Sequence, residues 1–93
     1  MSERMRQVIW KFPLRVADRQ NVEMPFGARI LSAQMQHGTP ILWALCDADA
    51  EMRPRRFVMF GSGQEILPEH DAGEYVGTVQ SFHFVWHIFE ART

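Results

Sequence analysis

Apolar and polar residues alternate along most of this chain, and that period-two pattern predicts strands rather than helices. In Val8-Ile9-Trp10-Lys11-Phe12, the residues Val8, Trp10 and Phe12 share one face, and Pro13 closes the run. A second strand is expected over Asn21–Met24, with Val22 at its centre and Pro25 at its end. Gly27 marks a turn. From Arg29 to Gln36, strict alternation sends Ile30, Ser32, Gln34 and Gln36 to one side and Leu31, Ala33 and Met35 to the other. That is the pattern of a half-buried antiparallel strand.

A Gly-containing loop, His37-Gly38-Thr39-Pro40, separates two well-patterned runs and predicts a hairpin. The following run, Ile41–Cys46, is apolar on both faces and reads as the central strand. A loop with acidic residues and arginines is expected from Asp47 to Pro54, then a fifth strand from Arg56 to Phe60, stopped by Gly61-Ser62-Gly63. A polar, acidic loop covers Pro68 to Gly73. Tyr75–Gln80 reads as a strand in which Gly77 implies a bulge or a close backbone approach. Phe82–Phe89 alternates cleanly, with Phe82, Phe84, Trp86 and Ile88 on one face and His83, Val85, His87 and Phe89 on the other. About seven strands at intervals of roughly 8–12 residues describe an all-β fold, a small antiparallel β-sandwich or partly open barrel. One domain spanning residues 1–93 is expected, with residues 1–6 as a flexible start.

Composition narrows the function classes. The 93 residues are 46% hydrophobic and 12% aromatic, which excludes a disordered chain. A formal net charge of −1 argues against a protein built to grip bare nucleic acid. No apolar run approaches the ~18–20 residues of a membrane span, and the start lacks the apolar core of a signal peptide. Cys46 is the sole cysteine, so no internal disulfide forms and nothing points to secretion.

Few residues carry recognisable chemistry. His83 and His87 share a strand face, but four residues at ~3.3 Å each hold their Cα atoms roughly 13 Å apart, too far for two ligands of one zinc. Asp47, Asp49 and Glu51 imitate the start of a calcium loop, yet Met52 and Val58 stand where an EF-hand needs Gly and Glu. Ser62, His70 and Asp71 have the residue types of a hydrolase triad without a nucleophile elbow around the serine. No catalytic residue, metal site or cofactor is therefore expected, and binding is expected instead of catalysis.

The most suggestive ligand-binding set is Arg53, Arg55 and Arg56 with the turn Gly61-Ser62-Gly63-Gln64. Arginine forks pair with carboxylate or phosphate, and glycine amides approach an anion closely. About 15 Å of strand separates the two clusters, so they meet only if a loop folds back or a subunit interface joins them. The aromatic residues exceed what one small core absorbs. Trp43, Trp86 and Phe89 are the expected interface residues, and a homodimer or larger homo-oligomer is the expected state.

Several segments together carry a resemblance. They are Ile9-Trp10-Lys11-Phe12-Pro13-Leu14, the Gly38–Leu45 hairpin arm, Gly61-Ser62-Gly63, and Tyr75–Gln80 followed by Val85–Glu90. The chain resembles a family of short, functionally uncharacterised proteins of tailed bacteriophages and prophages, over nearly its whole length from Val8 to Glu90. Members commonly show Gly-Thr-Gly-His where this chain has Gly61-Ser62-Gly63-Gln64, so no role of that histidine transfers to Gln64. The resemblance implies a viral protein in the cytoplasm of a bacterial host. Two functions fit that setting. One is an accessory protein that binds a host factor, as an inhibitor of host defence, or a small anionic ligand. The other is an oligomeric structural or assembly component of the particle.

Overall fold

The computed structural model describes residues 5–93, so most of the expected flexible start lies outside the described residues. Seven strands follow one another: β1 (Gln7–Pro13), β2 (Arg19–Pro25), β3 (Arg29–Gln36), β4 (Thr39–Asp47), β5 (Met52–Gly61), β6 (Ala72–Gln80) and β7 (Val85–Ala91). A short 3-10 turn at Pro68–His70 interrupts the β5–β6 connection. The strands form two antiparallel sheets, β1-β4-β3 and β2-β5-β7-β6, as an all-β sandwich. None of the helices among the described residues is long and apolar enough to cross a membrane.

Local chemistry explains the turns. His37 and Gly38 both take positive φ, 51° and 80°, between the paired residues Gln36 and Thr39. Two left-handed residues make the hairpin turn whose twist matches its strands. Between β2 and β3, Ala28 donates its amide to the Pro25 carbonyl at 3.0 Å, with Gly27 at φ 81°. Glycine in that third turn position relieves the strain a side chain would meet. This turn leads into Arg29, which opens β3 opposite Leu45 of β4.

β4 is the centre of its sheet, as its two-sided apolar pattern requires. Leu42, Ala44 and Cys46 face inward and are buried with Phe12, Met24, Phe57, Met59, Val79 and Ile88. The glycine in β6 combines both expected properties. Pairing with β7 slips between Tyr75 and Gly77, and a Cβ on Gly77 would lie 3.0 Å from the Ala33 Cβ of β3. β3 and β6 thus meet at the corner where the two sheets join.

Several strand starts and one register differ from the sequence reading, β2 beginning at Arg19 rather than Asn21 and β6 at Ala72 rather than Tyr75. β5 begins at Met52 rather than Arg56, so the expected Asp47–Pro54 loop is largely strand. Residues Met52–Val58 pair with β2, whereas β7 reaches β5 only from Phe57 to Gly61. Beside Pro54 the strand therefore has one neighbour, and a missing N–H is tolerated there. β7 begins at Val85 rather than Phe82, and Phe82 and Phe84 project from the β6–β7 connection, 101% and 57% exposed. In β3, the register shifts between Ile30 and Ser32. The extra residue lets Ile30 pack on the core with Ala33 and Met35, while Leu31 turns outward. A bulge of this kind breaks strict alternation without changing the composition.

Candidate functional site

Arg53 and Arg55 share the face of β5 that carries Phe57 and Met59, while Arg56 points to the opposite face. Arg53 lies 4.4 Å above the Phe26 ring and 3.1 Å from the Glu51 carboxylate. Arg56 reaches Asn21 Oδ1 at 3.5 Å, a long contact. Arg55 is engaged on all sides. Its Nε and Nη2 donate to the two Glu90 carboxylate oxygens at 2.8 and 2.7 Å, and its Nη1 donates to the Ala28 carbonyl. These hydrogen bonds hold the Arg55 proton more firmly than water does, against the opposing effect of burial. The anion that Arg55 recognises is thus internal, and it joins β7 and the β2–β3 turn to β5.

The glycine turn lies at the other end of β5, roughly 20 Å from Arg55 at ~3.3 Å per residue. Gly61 donates its amide to Gln64 Oε1 at 3.0 Å, and the Gln64 amide returns to the Gly61 carbonyl at 3.1 Å. Ser62 Oγ sits 2.9 Å from His87 Nε2, and His87 Nδ1 sits 2.9 Å from Thr78 Oγ1. Thr78 also contacts the Tyr75 hydroxyl. This outward-facing chain has the serine–histidine contact of a hydrolase. Its third member is a neutral hydroxyl, whereas a carboxylate is what stabilises the imidazolium in a serine hydrolase. The arrangement fits a hydroxyl network that ties the turn to β7 and β6. One subunit does not bring the arginines and the glycine turn together.

The three expected interface residues occupy different surroundings. Trp43 lies on the outward face of β4, opposite Lys11 and Ser32, and is half-buried. Trp86 faces inward against the core and stacks with the exposed Phe84 at 6.0 Å. Phe89 joins an aromatic group on the outer face of the larger sheet, 5.8 Å from Phe60 and 5.4 Å from Tyr75. His70 packs edge-on against the same Phe60 at 5.2 Å.

A cleft opens where β3 and β6 part at the Gly27 end of the sandwich. This cleft is about 450 Å³ and is lined by Arg29 and Ile30, by Glu74, Tyr75 and Val76, and by Arg55 and Glu90. Both walls carry register shifts, in β3 at Ile30/Ser32 and in β6 at Ala72/Tyr75 and Tyr75/Gly77. Bulges re-aim side chains and end regular pairing, which is how two adjoining strand edges come to enclose space. The Arg55–Glu90 pair is at one side of this cleft, three-quarters buried, and holds its position by three hydrogen bonds. Arg29 and Glu74 are exposed on the two walls and make no side-chain hydrogen bond or ion pair among the described residues.

Arg29 and Glu74 were not among the residues singled out from the sequence. Neither belongs to a motif, and only the folding of β6 beside β3 brings their strands together. Of the residues that were singled out, Arg55 lines the cleft, while Arg53 and Arg55 together line a shallower groove on the other side of Gly27.

A family model for a domain of unknown function, DUF7352, matches residues 5–93. The chain belongs to that family. No curated protein and no solved structure matches it. DUF7352 membership covers the whole sandwich, so both walls of the cleft lie inside the family domain.

Proposed function

We propose that this chain is a non-enzymatic binding protein that holds a small ligand carrying a carboxylate or phosphate group in the β3–β6 cleft. The observation that carries the reading is Arg29, a guanidinium without a side-chain partner among the described residues, on the wall of a cleft otherwise fixed by the Arg55–Glu90 pair. A volume of about 450 Å³ lies within the ~300–1,000 Å³ range of small-molecule sites. In the phage or prophage setting that the resemblance implies, such a protein acts in the host cytoplasm by sequestering a ligand, including one used in host defence. The test is a thermal-shift and calorimetric screen of small carboxylates and phosphates against wild type and Arg29→Ala. Binding that weakens about ten-fold or more in Arg29→Ala supports the reading, since a hydrogen bond to a charged group contributes ~1.5–3 kcal/mol. Binding unchanged in that variant places the site elsewhere.

A second reading, an oligomeric structural or assembly component of a phage particle, rests on a different observation. The outward face of the smaller sheet carries Ile9, 58% exposed, beside half-buried Trp43 and Leu45. Apolar surface of this kind on a small domain points to association. A homodimer or larger ring predicts a mass of at least twice 10.9 kDa by light scattering, and a clean monomer at micromolar concentration contradicts it.

A further inference from the structure

Four charged side chains line the β3–β6 cleft, two arginines and two glutamates. Arg55 and Glu90 neutralise each other through their paired hydrogen bonds. Arg29 on the β3 wall and Glu74 on the β6 wall make no side-chain hydrogen bond or ion pair among the described residues, although Glu74 adds a weaker attraction to the proton on Arg55. A ligand with only a carboxylate satisfies Arg29 and brings a second negative charge into the space shared with Glu74. A ligand with only an amine meets the reverse conflict. Like charges inside a partly enclosed space are screened less than on open surface, so the conflict weakens binding in both cases. A ligand that carries both groups satisfies both walls.

We infer that the cleft takes a zwitterion of the α-amino-acid class, its carboxylate on Arg29 and its ammonium on Glu74. Ile30 and Val76, which pack toward the core, supply apolar contact for its side chain. This rests on the cleft being the ligand site proposed above, and it names the chemistry that the site selects. The guanidinium suits the carboxylate because its planar donors match two oxygens at once. The Arg55–Glu90 pair stays engaged with itself, so it shapes the cleft and leaves the two free charges to read the ligand.

The experiment is a calorimetric titration at low ionic strength with L-phenylalanine and L-leucine, each beside two analogues. 3-Phenylpropionate and 4-methylpentanoate lack the ammonium, whereas phenethylamine and isopentylamine lack the carboxylate. The expected result is at least one amino acid binding ten-fold or more tightly than both of its analogues. Glu74→Gln should then remove the advantage over the carboxylate analogue, and Arg29→Ala the advantage over the amine. Both residues are exposed, and unchanged circular dichroism confirms that the variants fold. A carboxylate analogue binding as tightly as its amino acid overturns the zwitterion and leaves the anion site standing. Failure of all six compounds to bind the folded protein overturns the zwitterion, and failure of the carboxylate and phosphate screen as well overturns the anion site.

Discussion

Arg55 and Glu90 are 35 residues apart in sequence and meet fork to fork, at 2.8 and 2.7 Å, on the inner side of the larger sheet. A third hydrogen bond from Arg55 to the Ala28 carbonyl fastens the β2–β3 turn to the same point. One side chain therefore holds together β5, β7 and the turn that presents Arg29. Removing Glu90 leaves a partly buried guanidinium without its anion. Glu90→Ala should lower unfolding free energy by about 1–3 kcal/mol, less than for a fully buried pair because both side chains keep some solvent contact. Urea denaturation measures it, and a change within experimental error would show the pair to be ornamental.

Gly77 and Ala33 approach each other closely where β6 meets β3. An added methyl at Gly77 lies 3.0 Å from the Ala33 Cβ, tighter than packed carbons accept. Gly77→Ala should destabilise by about 1–3 kcal/mol. Ala33→Gly in the same chain should return part of that loss, because it removes the atom that is struck. Additive losses in the double variant would place the strain elsewhere.

The aromatic residues near the start of β7 should divide sharply. Trp86 packs on the core, and Trp86→Ala should cost about 3 kcal/mol or more. Phe82 is fully exposed, so Phe82→Ser should leave the denaturation midpoint almost unchanged. Equal losses would mean that the hairpin tip is folded back on the core.

Burial pushes the Cys46 thiol above its ordinary range, which makes it a poor nucleophile near neutral pH. The folded state therefore holds the proton more firmly than the unfolded state does. Its contribution to stability is present below the unfolded thiol value of about 8.5 and declines as pH rises beyond it. Cys46→Ala should flatten the decline in stability above the ordinary thiol range, and wild type should react slowly with thiol reagents until unfolded. Fast labelling of the native protein would contradict this.

The strand pattern made the fold legible where alternation was regular. The two-sided run Ile41–Cys46 became the central β4, and Gly77 became both a bulge and a close contact. Alternation failed where β3 inserts an extra residue near Leu31, since a bulge leaves no mark in residue type. The first half of β5 was hidden because Pro54 and its flanking arginines have loop composition, although β2 pairs with them. Arg55 was legible as chemistry but not as a partner. Nothing near it in sequence points to Glu90, and an arginine already paired inside the protein looks like one awaiting a ligand. Arg29 was missed for the opposite reason, because one charge beside a turn is unremarkable until β6 closes the cleft around it.

The most direct test of the cleft is an amide chemical-shift map recorded while the protein is titrated with L-phenylalanine and with 3-phenylpropionate. The account predicts shifts concentrated at residues 27–30 and 74–76, where β3 and β6 form the two walls. Shifts confined to the Gly61–Gln64 turn or to Phe82–Phe84, or no shifts at millimolar ligand, would contradict it.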